Sequence, residues 1–167
     1  MNTSRRVAIL VVVFLLIAAT PASAVSEGES ANQDTCISAF GTPLERDLFS
    51  LINDARRARD REPLVFCESL SEVARAHARD MIERDCFSHR SPKSKTPGGR
   101  VRSAGISARR VGENLAGNTH VLGAHRQLMA SRGHRFNLLS THYDTVGLAV
   151  VPGGRYGKMI VQIFTGN

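Results

Sequence analysis

The sequence predicts an α+β domain built as an α/β/α sandwich, a small central antiparallel sheet covered by helices on both faces. Three observations predict it. Two apolar runs near the C-terminus, TVGLAVV at 145–151 and KMIVQIFT at 158–165, are joined by PGGRYG and read as a β-hairpin. Both alternating faces of each run are apolar, Val146, Leu148 and Val150 against Ala149 and Val151, so the sheet needs cover on both sides. Upstream of them lie segments whose apolar residues recur at helical spacing, and these supply the cover.

The first helix opens at Thr42-Pro43-Leu44-Glu45, with a capping hydroxyl, proline at the first helical position and a carboxylate three residues after the cap. Leu44, Leu48, Leu51, Ile52 and Ala55 form its apolar stripe, and Arg56, Arg57 and Arg59 are assigned to a solvated face. A second helix is expected from Ser69, with Glu72 completing another capping box, to about Arg84. Its stripe, Leu70, Val73, Ala74, His77, Ala78, Met81 and Ile82, turns His77 inward as a hydrogen-bonded core histidine. The stretch 86–101, CFSHRSPKSKTPGGRV, is rich in turn formers and reads as a loop. Thr96-Pro97 restarts a short helix through Arg100 and Arg102 that ends at Gly105. Residues 109–115 are expected as a further strand, 120–131 as a helix and 134–139 as a helical turn.

The N-terminus reads as an export signal. Arg5 and Arg6 precede thirteen apolar residues, Val7 to Ala19, followed by Ala22 and Ala24 in the small-residue spacing of a cleavage site. The apolar run falls short of the roughly 20 residues that span a bilayer, so no transmembrane span is expected once residues 1–24 are removed. Residues 25–41 read as a flexible leader and 42–167 as one domain, expected to be a monomer. Cleavage removes two of 22 basic residues and none of the 15 acidic ones, so five positive charges remain in surplus. That surplus suits anionic surfaces such as lipid headgroups. It does not make a nucleic-acid reader, since the chain has no tryptophan, few aromatics and no base-reading motif.

Cys36, Cys67 and Cys86 belong to a chain bound for an oxidising compartment, which implies one disulfide and one leftover thiol. All three pairings are open from sequence. If the first two helices form a hairpin, Cys36 lies near Cys86 and Cys67 at the opposite end, which favours Cys36 with Cys86. Cys86 also lies three residues before His89, a spacing open to a thiol and base pair, but a disulfide is the better reading of that thiol.

Three polar residues have no place in this packing argument: His89 in CFSHRSP, Glu113 in VGENLAG and His134 in ASRGHRFN. A buried carboxylate must bind a proton, find a cation or accept several hydrogen bonds, so Glu113 needs a partner. Two imidazoles and a carboxylate are suitable chemistry for Zn2+ or another divalent cation with an open position for water, although the three lack the helical spacing of an HExxH site.

In order, LINDARRARDREPL, LSEVARAHARDM, FSHRSP, a Pro-x-x-Arg segment ending in AG, VGENLAG, MASRGHRFNLL, VGLAVV and VQIF resemble the CAP superfamily, the cysteine-rich secretory proteins, antigen 5 and pathogenesis-related proteins. The resemblance is strongest to the bacterial secreted branch and covers roughly residues 44–164. It implies an α/β/α sandwich with a central cleft in which His89, His134 and Glu113 meet, a site that in some members holds zinc. It further implies that Asn114 holds its turn through side-chain hydrogen bonds and that Asn137 ties down the loop after His134. Where eukaryotic members carry a tryptophan and, three residues on, a glutamate, this chain has Leu128 and Ser131, a poorer cation ligand. Arg132 adds positive charge beside the cleft, so cation binding is expected to be weak. The function implied is an extracytoplasmic binding module, secreted or periplasmic, for a lipid, a sterol-like ligand or an anionic cell-envelope component. The alternative is a metal-assisted, peptidase-like hydrolase in which Glu113 acts as ligand or general base. No G-x-S-x-G nucleophile elbow is present, and binding is favoured over catalysis.

Overall fold

The computed structural model describes residues 41–90 and 95–167. The expected signal (1–24), nearly all of the leader, Cys36 and the Ser91-Pro92 pair of the FSHRSP motif lie outside the described residues.

Helix α1, Pro43–Arg57, starts where its sequence says it should. Thr42 Oγ1 accepts from the Glu45 N–H at 3.3 Å, and Glu45 Oε2 accepts from the Thr42 N–H at 2.7 Å, a complete capping box. Strand β1, Val65–Phe66, is only two residues long and was not legible as a strand. Helix α2, Glu68–Glu83, follows at once with Cys67 as its N-cap and no side-chain capping bond. The capping box expected at Ser69 and Glu72 is therefore displaced: β1 pairing fixes the backbone through Cys67, and the helix begins before Ser69 can cap it. Helix α3, Pro97–Ser103, is capped by Thr96, whose hydroxyl accepts from the Gly99 N–H. Strand β2, Arg110–Gly117, helix α4, Val121–Ala130, helix α5, Arg132–Leu139, and the hairpin β3, Thr145–Pro152, with β4, Lys158–Gly166, complete the described elements.

The sheet order is β1-β3-β4-β2. Strand β4 pairs antiparallel with both β3 and β2, and β1 joins the far edge parallel to β3, so the sheet is mixed rather than wholly antiparallel. Strand pleating divides the core in two. Val146, Leu148, Val150, Ile160 and Phe164 face α1, α4 and α5 with Leu48, Ile52, Leu128 and Leu138. Ala149, Met159, Val161, Ile163 and Leu115 face α2 and α3 with Leu70, Ala74, Met81 and Val101. The result is the three-layer sandwich that the two-faced apolar strands require. The α2 layer sits very close: a Cβ on Gly147 would lie 2.3 Å from the Leu70 carbonyl carbon, so only glycine fits at that crossing.

Two expectations are corrected here. Arg56 is 2% exposed and not part of a solvated face. Its Nη1 donates to the carbonyls of Leu138 and Ser140, both at 2.9 Å, and its Nε to the Glu62 carbonyl at 2.7 Å, so the arginine fastens the end of α5 to the end of α1. The three-arginine run concealed this because helical spacing puts Arg56 four residues after the buried Ile52, on the inward side. The Cys36–Cys86 pairing also fails. Cys86 carries an exposed free thiol, whereas the buried Cys67 is disulfide-bonded, to a partner outside the described residues. The physical reason is β1: it sends α1 and α2 to opposite faces of the sheet, so the helical hairpin on which the pairing rested does not exist.

Among the described residues, no helix is long and apolar enough to cross a membrane.

Candidate functional site

Successive residues of a strand point to opposite faces, and Glu113 and Asn114 use that alternation at the sheet's β2 edge. Glu113 lies opposite Ile163 and faces the α2/α3 layer, while Asn114 lies opposite Gln162 and faces α5. One short piece of strand thus reaches both helical layers.

The Glu113 side chain is 1% exposed, and both its oxygens are engaged. Oε1 accepts from His89 Nδ1 at 2.8 Å, and Oε2 pairs with the Arg100 guanidinium of α3. Arg100 also donates through Nη1 to the carbonyls of His89, at 3.0 Å, and Lys95, at 3.1 Å, so a single side chain neutralises the carboxylate and holds the backbone that carries His89. The second imidazole beside Glu113 is His77, with Nε2 4.0 Å from Oε1. His77 Nε2 donates to the Ser88 carbonyl at 3.0 Å, fixing the residue next to His89, and its Nδ1 is buried with no hydrogen-bond partner among the described residues. Burial first, and then the Arg100 charge, outweigh the opposing pull of Glu113 and hold His77 below the usual histidine range.

On the other face, Asn114 Nδ2 donates to the His134 carbonyl at 3.1 Å and to Gln162 Oε1 at 3.0 Å. Asn137 Nδ2 donates to Asn114 Oδ1 at 3.0 Å and to the Glu113 carbonyl at 3.3 Å. Asn114 therefore holds α5, from a strand rather than a turn, and Asn137 returns the contact. His134, on α5, is partly buried and sits within electrostatic range of His89; burial first, and then His89, lower its affinity for a proton. Ser131 forms the junction of α4 and α5: its N–H donates to the Gln127 carbonyl, its own carbonyl accepts from the Arg135 N–H, and its hydroxyl makes no capping bond.

The chemistry of this edge follows from the His89 tautomer. With Nδ1–H donated to Glu113, a neutral His89 keeps its lone pair on Nε2, and the side chain is 53% exposed. It can accept a hydrogen bond, take a proton or ligate a cation. The Glu113 oxygens are buried against His89 and Arg100, and no group of three or more His, Cys, Asp or Glu side chains with a metal-holding arrangement occurs among the described residues. The three-ligand set does not fit the side chains as they stand.

A profile of the CAP family, the cysteine-rich secretory protein family, matches residues 49–165. The chain belongs to this CAP family. The uncharacterized protein YkwD of Bacillus subtilis (strain 168) is 32% identical to this CAP chain over 136 residues, covering 81% of the chain and 53% of YkwD. The uncharacterized membrane protein YlbC of the same organism is 32% identical over 111 residues, 65% of the chain and 32% of YlbC. The chain thus spans about half and about a third of these relatives. An extracellular protein containing an SCP domain from Bacillus anthracis superposes with a TM-score of 0.66 at 28% identity, over 78% of this chain and 45% of that one. An outer surface protein of Borrelia burgdorferi gives 0.69 at 20% identity, over 77% and 96%, a likeness of fold alone.

Sequence reasoning missed Arg100 and the part played by His77. The Pro-x-x-Arg segment was visible, and a carboxylate due for burial demands a cation, but nothing linear connects positions 100 and 113. A signal did exist: Arg100 precedes Val101 in a helix too short to bury much else.

Proposed function

We propose that this CAP chain is an extracytoplasmic binding module that takes up a lipid or other cell-envelope component at the β2 edge, between His89 and His134. One observation carries this reading: the buried carboxylate of Glu113 is committed on both oxygens, to Arg100 and to His89, so it serves as a fixed support that aims an exposed imidazole outward. Such a preorganised acceptor suits a ligand that brings hydrogen-bond donors, and it needs no reorganisation on binding. The extracellular and surface relatives, together with the N-terminal export pattern, support placement outside the cytoplasm.

What weighs against the hydrolase alternative is burial: the Glu113 side chain is 1% exposed, with His89 and Arg100 packed on its two oxygens, which leaves little approach for a water that it would activate as general base. Divalent cations, where taken up, rest on the two imidazoles alone, with Glu113 hydrogen-bonded behind His89.

The test is a histidine-resolved nitrogen NMR titration of the processed chain with a soluble peptidoglycan fragment and with a short-chain phospholipid. Saturable shifts at His89 and His134, with the buried His125 unmoved, are expected for one of the two. Still resonances at both histidines in both titrations refute the cleft as a binding site.

A further inference from the structure

Helix α5 has two working faces. Asn137 and the His134 carbonyl meet β2, as described, and Leu138 is in the core. Helical spacing puts Arg132, Phe136 and Leu139 together on another side, and these residues line an open groove of about 700 Å³. Arg61, from the segment after α1, together with Arg135 and His142, contributes to the same lining, and no acidic residue does. Phe136 is 64% exposed, the most exposed of the large apolar side chains among the described residues. Arg135 is held in place by donating to the Met129 and Ala130 carbonyls, at 2.8 and 3.3 Å, while Arg56 fastens the far end of α5. An exposed aromatic within an arginine-lined groove matches an interface that is anionic at its surface and apolar just beneath it.

We propose that this groove, Arg61, Arg132 and Phe136 foremost, is a docking surface for an anionic phospholipid bilayer: the arginines meet headgroup phosphates and Phe136 enters the headgroup layer. The surface is distinct from the β2 edge, but it shares α5 with it, so docking brings the His134 side of the cleft to the membrane. The inference rests on the reading that the chain acts at the cell envelope. It does not require the cleft to hold a ligand.

The test is co-sedimentation of the processed chain with vesicles of phosphatidylglycerol and phosphatidylcholine in equal parts, against phosphatidylcholine alone. Binding to the anionic vesicles only is expected, and it should collapse in molar salt, where charge interactions reach only about 3 Å. Arg61→Glu with Arg132→Glu should weaken partitioning by at least about 20-fold, roughly fivefold per arginine removed before counting the reversed charge. Phe136→Ser should weaken it about tenfold. All three sites are exposed, and unchanged circular dichroism verifies folding. Arg79→Glu with Arg102→Glu changes the net charge equally on the α2/α3 layer and should leave binding as in wild type. Equal sedimentation with phosphatidylcholine alone, equal loss in the Arg79/Arg102 control pair, or no binding to the anionic vesicles overturns the proposal. The histidine titration reads the cleft separately, so either site can fail without the other.

Discussion

His89 and Glu113, 24 positions apart in the chain, share a 2.8 Å hydrogen bond between Nδ1 and Oε1 at the edge of the sheet. The bond joins an exposed loop imidazole to a carboxylate that is almost wholly buried, and it exists because Arg100 balances the charge from the other side. Arg100 thus supports both the carboxylate and the backbone that carries His89.

Removing that counter-charge should be costly. Arg100→Met leaves Glu113 buried without its cation and is expected to lower stability by about 3–5 kcal/mol. The double variant Arg100→Met with Glu113→Gln should recover part of the loss, because the charge left behind goes as well. Urea unfolding of the two variants and the wild type measures the difference; an equal or larger loss in the double variant contradicts the account.

Acid should weaken the fold, and part of the effect belongs to His77. Its folded affinity for protons lies below that of the unfolded chain, whose ordinary histidine value is about 6.5. Between the two values the unfolded state binds more protons, so this contribution is complete above about pH 6.5 and declines as pH falls toward the folded value. His125 and His134 are lowered too, chiefly by burial, and act in the same direction. His77→Gln keeps a donor near the Ser88 carbonyl and removes the titration, so its urea midpoint should vary less between about pH 7 and about pH 5 than that of the wild type.

Arg56 should behave as a structural bolt. Arg56→Met leaves the buried carbonyls of Leu138 and Ser140 without this donor and should cost about 3 kcal/mol or more. Arg56→Lys should rescue little, because an ammonium cannot reproduce the planar fork that meets the carbonyls of Glu62, Leu138, Ser140 and Tyr143 at once. Thermal unfolding distinguishes these cases, and a fully rescued lysine variant would show that charge alone suffices.

The cysteines offer a chemical check. In the folded, unreduced chain Cys86 should take up a thiol alkylator, and the Cys67 peptide should appear only in cross-linked form on non-reducing peptide mapping. Reduction should cost about 2–4 kcal/mol of stability. Recovery of Cys86 in a disulfide instead would overturn its assignment as the free thiol.

By itself the sequence determined the sandwich, its hairpin, the first helix cap, the start of the third helix at Thr96-Pro97 and the resemblance that singled out His89, Glu113 and His134. Those follow from properties that neighbouring residues share: period, capping chemistry, turn residues and an apolar run that must be covered twice. Only the tertiary structure decided that Arg56 is interior, that a two-residue β1 throws α1 and α2 to opposite faces and so leaves Cys86 free, and that Arg100 is the answer to Glu113. Each of these depends on which residue lies across a layer boundary from which other. Burial strengthens such long-range charge and hydrogen-bond partnerships, yet no local periodicity records them.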